Sequence, residues 1–338
     1  MKLKGTQKIS VLLIILLMAS LLAGCSSKKA EQPSQTDPKT ATITVTDQAG
    51  RQVVVPAEVD SVAITWGPAT NFVIALGKGN VITAMNYKSD LALKVAPNLA
   101  NAGTVGKGVP DMEALAKLKP DVFIHKANDI KTLDAVQALG IPAVGIYSES
   151  PEDLVKATEL VGKVLGAQDK AQQLIAFYNE KNAFAQNLVK DIPADKRKTA
   201  IVMGSEVGKV AHGEMIQSFL IESAGGVNMA KGIQSKETWP MVGNEQIFSW
   251  NPDFIFCENY NQATFKIDEL KKDPGFAKLT SVKNNHIAYI PAYQDLWDFP
   301  GVQSALGTLW MLNQMYPEKY SEQDLIKDIN AYYTMAYG

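Results

Sequence analysis

The sequence predicts an α/β protein of two lobes with parallel sheets, joined by one long backbone helix, with a ligand cleft between the lobes. In the first half, short runs rich in Val and Ile alternate with helical segments, which is typical of a parallel sheet covered by helices. Residues 169–191 then form a long periodic segment without Pro or Gly. After this segment the strand–helix pattern begins again, which indicates a second lobe.

Residues 1–25 have the features of a lipoprotein signal peptide. Three lysines, Lys2, Lys4 and Lys8, precede an apolar run from Ile9 to Leu22. That run is shorter than the ~20 residues that a membrane-spanning helix needs. It ends in small residues before Cys25, the pattern of a lipobox in which the Cys carries the lipid. The alternative is an ordinary secretory peptide that happens to contain a Cys.

Residues 26–40 are Ser, Lys, Gln, Pro and Asp with almost no apolar side chain, and we expect a disordered tether. A lipidated Cys25 would anchor the protein to the outside of the cell membrane. The formal net charge of −2 gives no electrostatic case for nucleic acid. Cys257 is the only other cysteine, so with Cys25 lipidated no intrachain disulfide can form.

Residues 41–166 form the predicted N-terminal α/β lobe. Its first element is a hairpin of two alternating strands. The predicted strands are Thr42–Thr46, Gln52–Val55, Ser61–Thr65, Val81–Met85, Asp121–His125 and Ala143–Tyr147. Helices are expected over Ala69–Leu76, Pro110–Lys117 and Lys131–Leu139, and after the N-cap Ser150.

Residues 167–192 form the predicted backbone helix. Gly166 ends the segment before it, and Pro193 stops it. The apolar residues recur at helical spacing at Leu174, Phe177, Tyr178, Phe184, Leu188 and Ile192. As a helix, the periodic segment 169–191 would span about 35 Å, the width of a small domain.

Residues 193–338 form the predicted C-terminal α/β lobe. Strands are expected over Thr199–Met203, Asp253–Cys257 and Ile287–Ile290. Helices are expected over Glu214–Ser223, Asn244–Trp250, Gln303–Met315 and Glu322–Tyr333. The two lobes share an internal echo, because Glu113 and Glu245 each lie eight residues before the Asp of a Pro-Asp-strand unit. Facing carboxyl ends of two parallel sheets would form a ligand cleft.

Motifs along almost the whole chain carry a family resemblance. They are Thr46–Arg51, Ala75–Gly77, Val105–Gly106, Pro110–Glu113, Leu118–Asp121, Ala224–Asn228, Trp239–Glu245, Asn251–Asp253 and Val282–Asn284. In this order, behind a lipobox, they resemble the solute-binding lipoproteins of ABC importers in the iron-siderophore, haem and cobalamin class. The resemblance implies a monomer that carries no intrinsic cofactor, binds a small-molecule metal chelate and moves little on binding.

The resemblance also implies a membrane partner, an ABC permease dimer with its ATPase. In this family a Glu at the tip of each lobe docks into Arg pockets on the permease, and Glu113 and Glu245 match those positions. Two carboxylates on one rigid body would give bivalent recognition. The alternative is a pair of solvated carboxylates favoured by a helix N-terminus.

The strand ends and the aromatic loop positions nominate residues for the cleft. We expect ligand contacts from Trp66, Tyr87, Lys107, His125, Lys126, Glu206, His212, Trp239, Tyr260, Tyr293 and Trp297. Asn86, Ser205 and Glu258 are further strand-end positions. His125 and His212 are candidate metal ligands, although a single His is more often structural. Cys257 echoes His125 and is expected to be an inert buried thiol.

The scarcity of Arg bears on the ligand. Only Arg51 and Arg197 are present, and neither follows a strand end, whereas anionic chelates are often held by Arg. A neutral chelate such as an iron–hydroxamate is therefore slightly favoured over haem, which needs an axial Tyr or His. Cobalamin binders of the family resemble this chain at Tyr87 and Trp239 but have aromatics where it has Lys107 and Lys126.

An enzyme and a ligand sensor are the competing classes of function. The sequence contains no G-x-S-x-G, H-E-x-x-H, C-x-x-C or P-loop motif, so we do not expect an enzyme. A lipid-anchored ligand sensor with the same fold but without a transport role remains open as an alternative.

Overall fold

Two four-stranded parallel sheets with the same strand order organise the computed structural model. The structure describes residues 41–86, 88–259, 264–292 and 295–338. Within each sheet the second strand along the chain lies at one edge, followed by the first, third and fourth. Ligands of such sheets bind beyond the carboxyl ends of the strands, where the chain order reverses.

The first sheet has the order β4-β3-β7-β8. Antiparallel hairpins formed by β1 with β2 and by β5 with β6 accompany it. The strands are β1 Thr42–Thr46, β2 Gln52–Pro56, β3 Val62–Ile64, β4 Ile82–Ala84, β5 Gly106–Lys107, β6 Val109–Pro110, β7 Val122–Lys126 and β8 Ala143–Ile146. The helices are α1 Gly67–Ala75, α2 Asp90–Val95, α3 Met112–Leu118, α4 Ile130–Ala138 and α5 Pro151–Val164.

The second sheet has the order β10-β9-β11-β12. Its strands are β9 Thr199–Met203, β10 Val227–Asn228, β11 Phe254–Cys257 and β12 Ile287–Tyr289. The connecting helix is α6 Gln168–Val189, and the helices after it are α7 Ile216–Ser223, α8 Asn244–Trp250, α9 Ile267–Leu270, α10 Thr280–Lys283, α11 Ser304–Met315 and α12 Glu322–Tyr337. Short 3-10 turns lie at Gly79–Val81, Pro97–Asn101, Ala194–Lys196 and Phe276–Lys278.

The internal echo in the sequence corresponds to the same hydrogen-bonded corner in both lobes. The Asp121 carboxylate accepts from Ser61 N at 2.9 Å, and Ser61 Oγ accepts from Asp121 N. In the second lobe the Asp253 carboxylate accepts from Thr199 N and Oγ1, and Thr199 Oγ1 accepts from Asp253 N. Each Asp therefore sets the register of its strand against the neighbouring strand.

The helix before each corner ends in the same way. α3 is followed by Lys119 at φ 49° and α8 by Asn251 at φ 44°, both left-handed. The helices each bury one apolar residue completely, Leu115 in α3 and Ile247 in α8. The internal echo is therefore a repeated helix–turn–strand unit and not a chance similarity in sequence.

The long helix α6 has 22 residues and spans about 33 Å. Leu174 and Tyr178 are buried as expected, but Phe184 is 41% exposed. Phe177, Leu188 and Ile192 are partly buried and pack against the core, so most of the predicted apolar face is confirmed. The buried seam also uses small side chains: Ala171 approaches Gly162 of α5 so closely that a Cβ on that glycine would lie 2.6 Å from it.

One hydrophobic cluster continues from the first lobe through α6 into the second. It includes Ile64 of β3, Leu174 of α6, Val202 of β9 and Leu309 of α11. A shared core of this kind resists hinge opening, because the lobes cannot separate without exposing apolar surface. Within the part of the chain that the structure describes, none of the helices combines the length and the apolar character that crossing a membrane requires.

Candidate functional site in the cleft between the lobes

A cavity of about 450 Å³ lies between the two lobes at the carboxyl ends of the strands. Its volume is within the range of small-molecule sites. Both lobes contribute to its walls. The lining residues are Trp66, Pro68, Lys126, Asn128, Tyr147 and Glu149 from the first lobe, and His212, Glu214, Met215, Gln217, Ser235–Trp239, Phe299 and Pro300 from the second.

Trp66 and Trp239 form aromatic walls from opposite lobes. Trp66 follows β3 and has the extended backbone of an N-cap, with Pro68 in the first turn of α1. Trp239 lies in the loop before α8 and covers Gly204 at the end of β9, where a Cβ would come within 2.7 Å of the ring. Only glycine lets the indole lie this close to the strand end. Both rings are half-buried, so one face remains for a flat or apolar ligand.

Lys126 is one of the charged groups in the cavity wall, together with Lys236, Glu149, Glu214 and Glu237. Three carboxylates thus face two ammonium groups. Burial raises the pKa of Glu149, and a hydrogen bond from Ile216 N and the charge of Lys126 only partly offset this. The site therefore has no excess of positive charge, in keeping with the absence of Arg from its lining.

Tyr147 lies at the end of β8 and brings a phenol into the cavity. Burial raises its pKa, and the nearby carboxylates of Glu149, Asp153 and Glu214 raise it further. The phenol therefore stays protonated at physiological pH and offers a hydrogen bond to a ligand. Phe299 adds a further aromatic surface to the same cavity.

His212 lies in the cavity wall and is 7% exposed. Its Nδ1 accepts a long hydrogen bond of 3.4 Å from Glu214 N. With Nδ1 as acceptor, the proton of the neutral ring is on Nε2. His212 is therefore arranged as a hydrogen-bond donor, and metal coordination through Nε2 would require this bond to break.

His125 is a structural histidine and does not line the cavity. It is 1% exposed, with Nδ1 3.0 Å from Thr65 Oγ1 and Nε2 3.1 Å from Asp129 Oδ2. Burial lowers its pKa, against the opposing effect of Asp129. Both ring nitrogens are already bonded inside the first lobe, so the ring offers no free nitrogen to a ligand in the cleft.

Three further expected contacts lie away from the cavity lining. Trp297 is 8% exposed, packs in the core and donates from Nε1 to Tyr333 Oη at 3.1 Å. Glu206 is ion-paired with Lys209. Lys107 is exposed in the β5–β6 hairpin. Position in the sequence therefore does not determine where these side chains pack.

Several expected residues lie outside the described part of the chain. They are Cys25, Tyr87, Tyr260 and Tyr293. Conversely, Tyr147, Glu149 and Phe299 line the cavity although the sequence analysis did not nominate them. Tyr147 follows β8 directly and Glu149 comes two residues later, so both lie at a strand end where ligands of parallel sheets bind.

A second groove, of about 600 Å³, runs along the turn of the β1–β2 hairpin. It shares Asn128 and Tyr147 with the interlobe cavity. Its other polar groups already hold the hairpin in place: Gln48 bonds Tyr147 N and Asp153 O, and the Asp47 carboxylate bonds Arg51 and Gly145 N. The smaller cavity between the lobes is therefore the candidate ligand site.

A bare metal ion has no ready set of ligands in the described residues. Among residues 41–86, 88–259, 264–292 and 295–338, no group of three or more His, Cys, Asp and Glu is placed to hold a metal. Cys257 is fully buried, and burial raises the pKa of its thiol, so it is an inert core residue there. Glu258, at the end of β11, is buried too, and burial with nearby Asp298 raises its pKa to about 8.

Glu113 and Glu245 occupy the same place in the repeated unit. Each is the second residue of its helix, α3 or α8, and each is exposed. Neither lines the interlobe cavity. The two carboxylates are thus presented to solvent on two lobes whose spacing α6 and the shared core maintain.

The chain is similar to known binding proteins over most of its length. The molybdate-binding protein MolA of Haemophilus influenzae is 24% identical over 323 residues, covering 87% of this chain and 90% of that protein. The Fe(3+)-citrate-binding protein YfmC of Bacillus subtilis is 23% identical over 316 residues, covering 90% and 96%. The solved structure of MolA bound to molybdate matches with a TM-score of 0.78 at 21% identity, covering 87% and 98%.

The family described as periplasmic binding protein matches residues 62–294, more than half of the chain. This match spans both sheets, the connecting helix and almost all of the cavity lining. The chain therefore belongs to the periplasmic binding protein family.

Proposed function

We propose that this protein captures a metal chelate of the iron-siderophore type outside the cytoplasm and delivers it to an ABC importer. The observation that carries the proposal is the cavity itself. A space of about 450 Å³ walled by Trp66, Trp239, Tyr147 and Phe299 suits an organic ligand that brings its own metal coordination. Aromatic faces bury such a ligand, and a few polar groups orient it.

The charge of the cavity favours a chelate of low net charge. MolA is named for molybdate and YfmC for ferric citrate, so relatives of this chain bind both an oxyanion and an anionic chelate. In this chain three carboxylates face two ammonium groups, and no Arg lines the wall. A small dianion would lack bidentate donors here, whereas a neutral ferric hydroxamate would meet aromatic surface and hydrogen-bond donors.

Haem is the second candidate, because His212 lies in the cavity wall. Axial coordination through Nε2 would require Nδ1 to carry the proton, which would oppose the Glu214 N–H. Haem binding through His212 would therefore break this bond, and His212→Ala would abolish a haem Soret shift. Cobalamin is the third ligand of the class, and the titration described next distinguishes it from the ferric hydroxamate and from haem.

Calorimetric titration of the purified protein with a panel of probes tests the proposal. The probes are a neutral ferric trihydroxamate, ferric citrate, haem, cobalamin, molybdate, Fe³⁺ and Ni²⁺. We expect the trihydroxamate to bind with micromolar or tighter affinity and the bare ions not to bind. Tight binding of a bare ion or of molybdate, with no binding of any chelate, would overturn the proposal.

We also propose that Glu113 and Glu245 dock into the permease of the importer. Their exposure and equivalent positions on the two lobes support this role. Glu–Arg hydrogen bonds strengthen as water leaves an interface, and two contacts on one rigid body act together. A lipid-anchored sensor without a permease would have no use for this pair.

Uptake of radiolabelled chelate by cells separates transport from ligand capture. The double variant E113A/E245A should lose uptake while its affinity for the chelate stays within about twofold of wild type. Glu152 and Glu322 are matched controls, because each is an exposed glutamate in the first turn of a helix capped by Ser. If E152A/E322A loses uptake equally, or if E113A/E245A loses ligand affinity, the docking assignment fails.

The proposed location depends on Cys25, which lies outside the described residues. A lipid on this cysteine would anchor the protein to the outer face of the cell membrane through the tether at 26–40. Cys25→Ala should release the protein into the medium or the periplasm. Retention of this variant in the membrane fraction would contradict the anchor.

A further inference from the structure

One carboxylate of the first lobe caps a helix of the second lobe across the floor of the cleft. α7 begins at Ile216, and its N-cap residue Met215 has no side chain that can accept a hydrogen bond from the first turn. Glu149 supplies the missing acceptor: its Oε2 lies 3.4 Å from Ile216 N. A helix N-terminus attracts negative charge, so this contact holds the carboxylate in place.

The same carboxylate lies in the wall of the ligand cavity. Burial raises the pKa of the Glu149 carboxyl, and the hydrogen bond from Ile216 N and the charge of Lys126, from the end of β7, partly oppose this rise. Tyr147 and Glu214 also line the cavity, and burial, together with the charges of Glu149 and Glu214, raises the pKa of the Tyr147 phenol. Glu149 thus lies beside two features of the cavity that would attract an anion, the start of α7 and the Lys126 ammonium group.

We propose that Glu149 is a specificity-determining residue that excludes anionic ligands from the cleft. Its carboxylate stands where an oxyanion or a carboxylate of a ligand would otherwise meet the α7 N-terminus and Lys126. An anionic ligand must either displace this group or bind beside it, at a cost from like-charge repulsion in a partly buried site. This inference rests on the proposed function, because it explains why a chelate of low charge is favoured.

The effect of removing the charge follows from the geometry. In Glu149→Gln the amide oxygen still accepts from Ile216 N, so the cap remains while the negative charge is lost. The ratio of the affinity for an anionic probe to that for a neutral probe should then rise about 10- to 100-fold, the range expected for one charge removed at close distance in a partly buried site. Glu149→Asp keeps the charge and should leave this ratio within about threefold of wild type.

The test is isothermal titration of the full chain in a mild detergent with three named probes: molybdate, ferric citrate and a neutral ferric trihydroxamate. Glu159→Gln is the matched control, since it makes the same change in net charge at an exposed position of α5 outside the cavity. We expect Glu149→Gln to gain affinity for molybdate or ferric citrate relative to wild type, and Glu159→Gln to show no such gain.

The outcomes separate the two proposals. If wild type binds no chelate, the proposed function fails, while the molybdate affinities of wild type and Glu149→Gln still decide the role of Glu149. No gain for either anionic probe in Glu149→Gln overturns the inference, as does an equal gain in Glu159→Gln. Should Glu149→Gln fail to fold, Glu149→Ala, which also removes the charge, must show the same gain.

Discussion

Asp295 gives a pH-dependent stability that can be worked out from its surroundings. It is 7% exposed, accepts from Leu296 N at 3.0 Å and lies 3.3 Å from Tyr337 Oη. Burial raises its pKa from 3.8 to about 7, against the effect of these two hydrogen bonds. Tyr332 and Tyr333 face the same carboxyl, since its charge raises the pKa of each of them.

The sign follows from the difference between the folded and unfolded states. Above about pH 4 Asp295 is ionised in the unfolded chain, whereas the folded protein keeps it protonated up to about pH 7. The contribution of Asp295 to stability therefore falls as pH rises from about 4 to about 7, and it is constant above that range. Ionisation then costs the folded state about 4 kcal/mol at pH 8 but only about 1.6 kcal/mol at pH 5, at ~1.4 kcal/mol per pKa unit. These are ceilings.

Asp295→Asn removes the titration and keeps an oxygen for Leu296 N. The new amide N–H costs about 1–3 kcal/mol if it finds no acceptor, but this cost is the same at both pH values. In urea unfolding, we compare the unfolding free energy of Asp295→Asn with that of wild type. The variant minus wild-type difference should be about 2–3 kcal/mol more positive at pH 8 than at pH 5. Asp195→Asn is the control, because Asp195 is 76% exposed. An equal change at both pH values for Asp295→Asn would refute the reasoning.

Two other predictions concern the stability of the β1–β2 hairpin region and the movement of the lobes. Asp47→Ala removes the acceptor of the buried Gly145 N–H and the buried carboxylate that pairs with Arg51, and it should lower the unfolding free energy by about 2–4 kcal/mol. Asp134→Ala removes an exposed partner of the same Arg51 and should cost less than ~1 kcal/mol; equal losses in urea unfolding would contradict the assignment. Because α6 and the shared core join the lobes, saturating chelate should change the radius of gyration by about 1 Å or less in solution scattering, and a larger change would show that the lobes hinge.

Much of the architecture followed from local patterns in the sequence. The Pro-Asp-strand units identified the repeat, and the structure shows the physical reason: Asp121 and Asp253 each bond the start of a neighbouring strand. The Ser150 cap of α5 is also confirmed, with Ser150 Oγ accepting from Asp153 N. Such signals are readable because the interacting groups lie close along the chain or recur at fixed spacing.

The site was less predictable, because a strand-end position does not determine where a side chain packs. His125 and Trp66 both lie at the carboxyl edge of the first sheet, yet His125 is bonded to Thr65 and Asp129 while Trp66 faces the cavity. Trp297 was expected in the cleft and instead bonds Tyr333 of α12. These outcomes depend on contacts between distant segments, which a single sequence does not display.

Short elements were also missed. α2, α9 and α10 have six residues or fewer, too few to show a helical period. The sequence predicts that α3 starts at Pro110, whereas the helix begins at Met112 with Asp111 as its N-cap. Pro110 instead belongs to β6, paired with Gly106, because the β5–β6 hairpin takes up these residues.

The central claim is that the cavity between Trp66 and Trp239 holds the ligand. Its most direct test is the affinity of a neutral ferric trihydroxamate for wild type and for the double variant W66A/W239A, measured by calorimetry. Loss of two half-buried aromatic walls should weaken binding by about 100-fold or more, at roughly 1.5–3 kcal/mol for each ring that the ligand covers. If the double variant binds the chelate as tightly as wild type, the ligand lies elsewhere and the account is wrong.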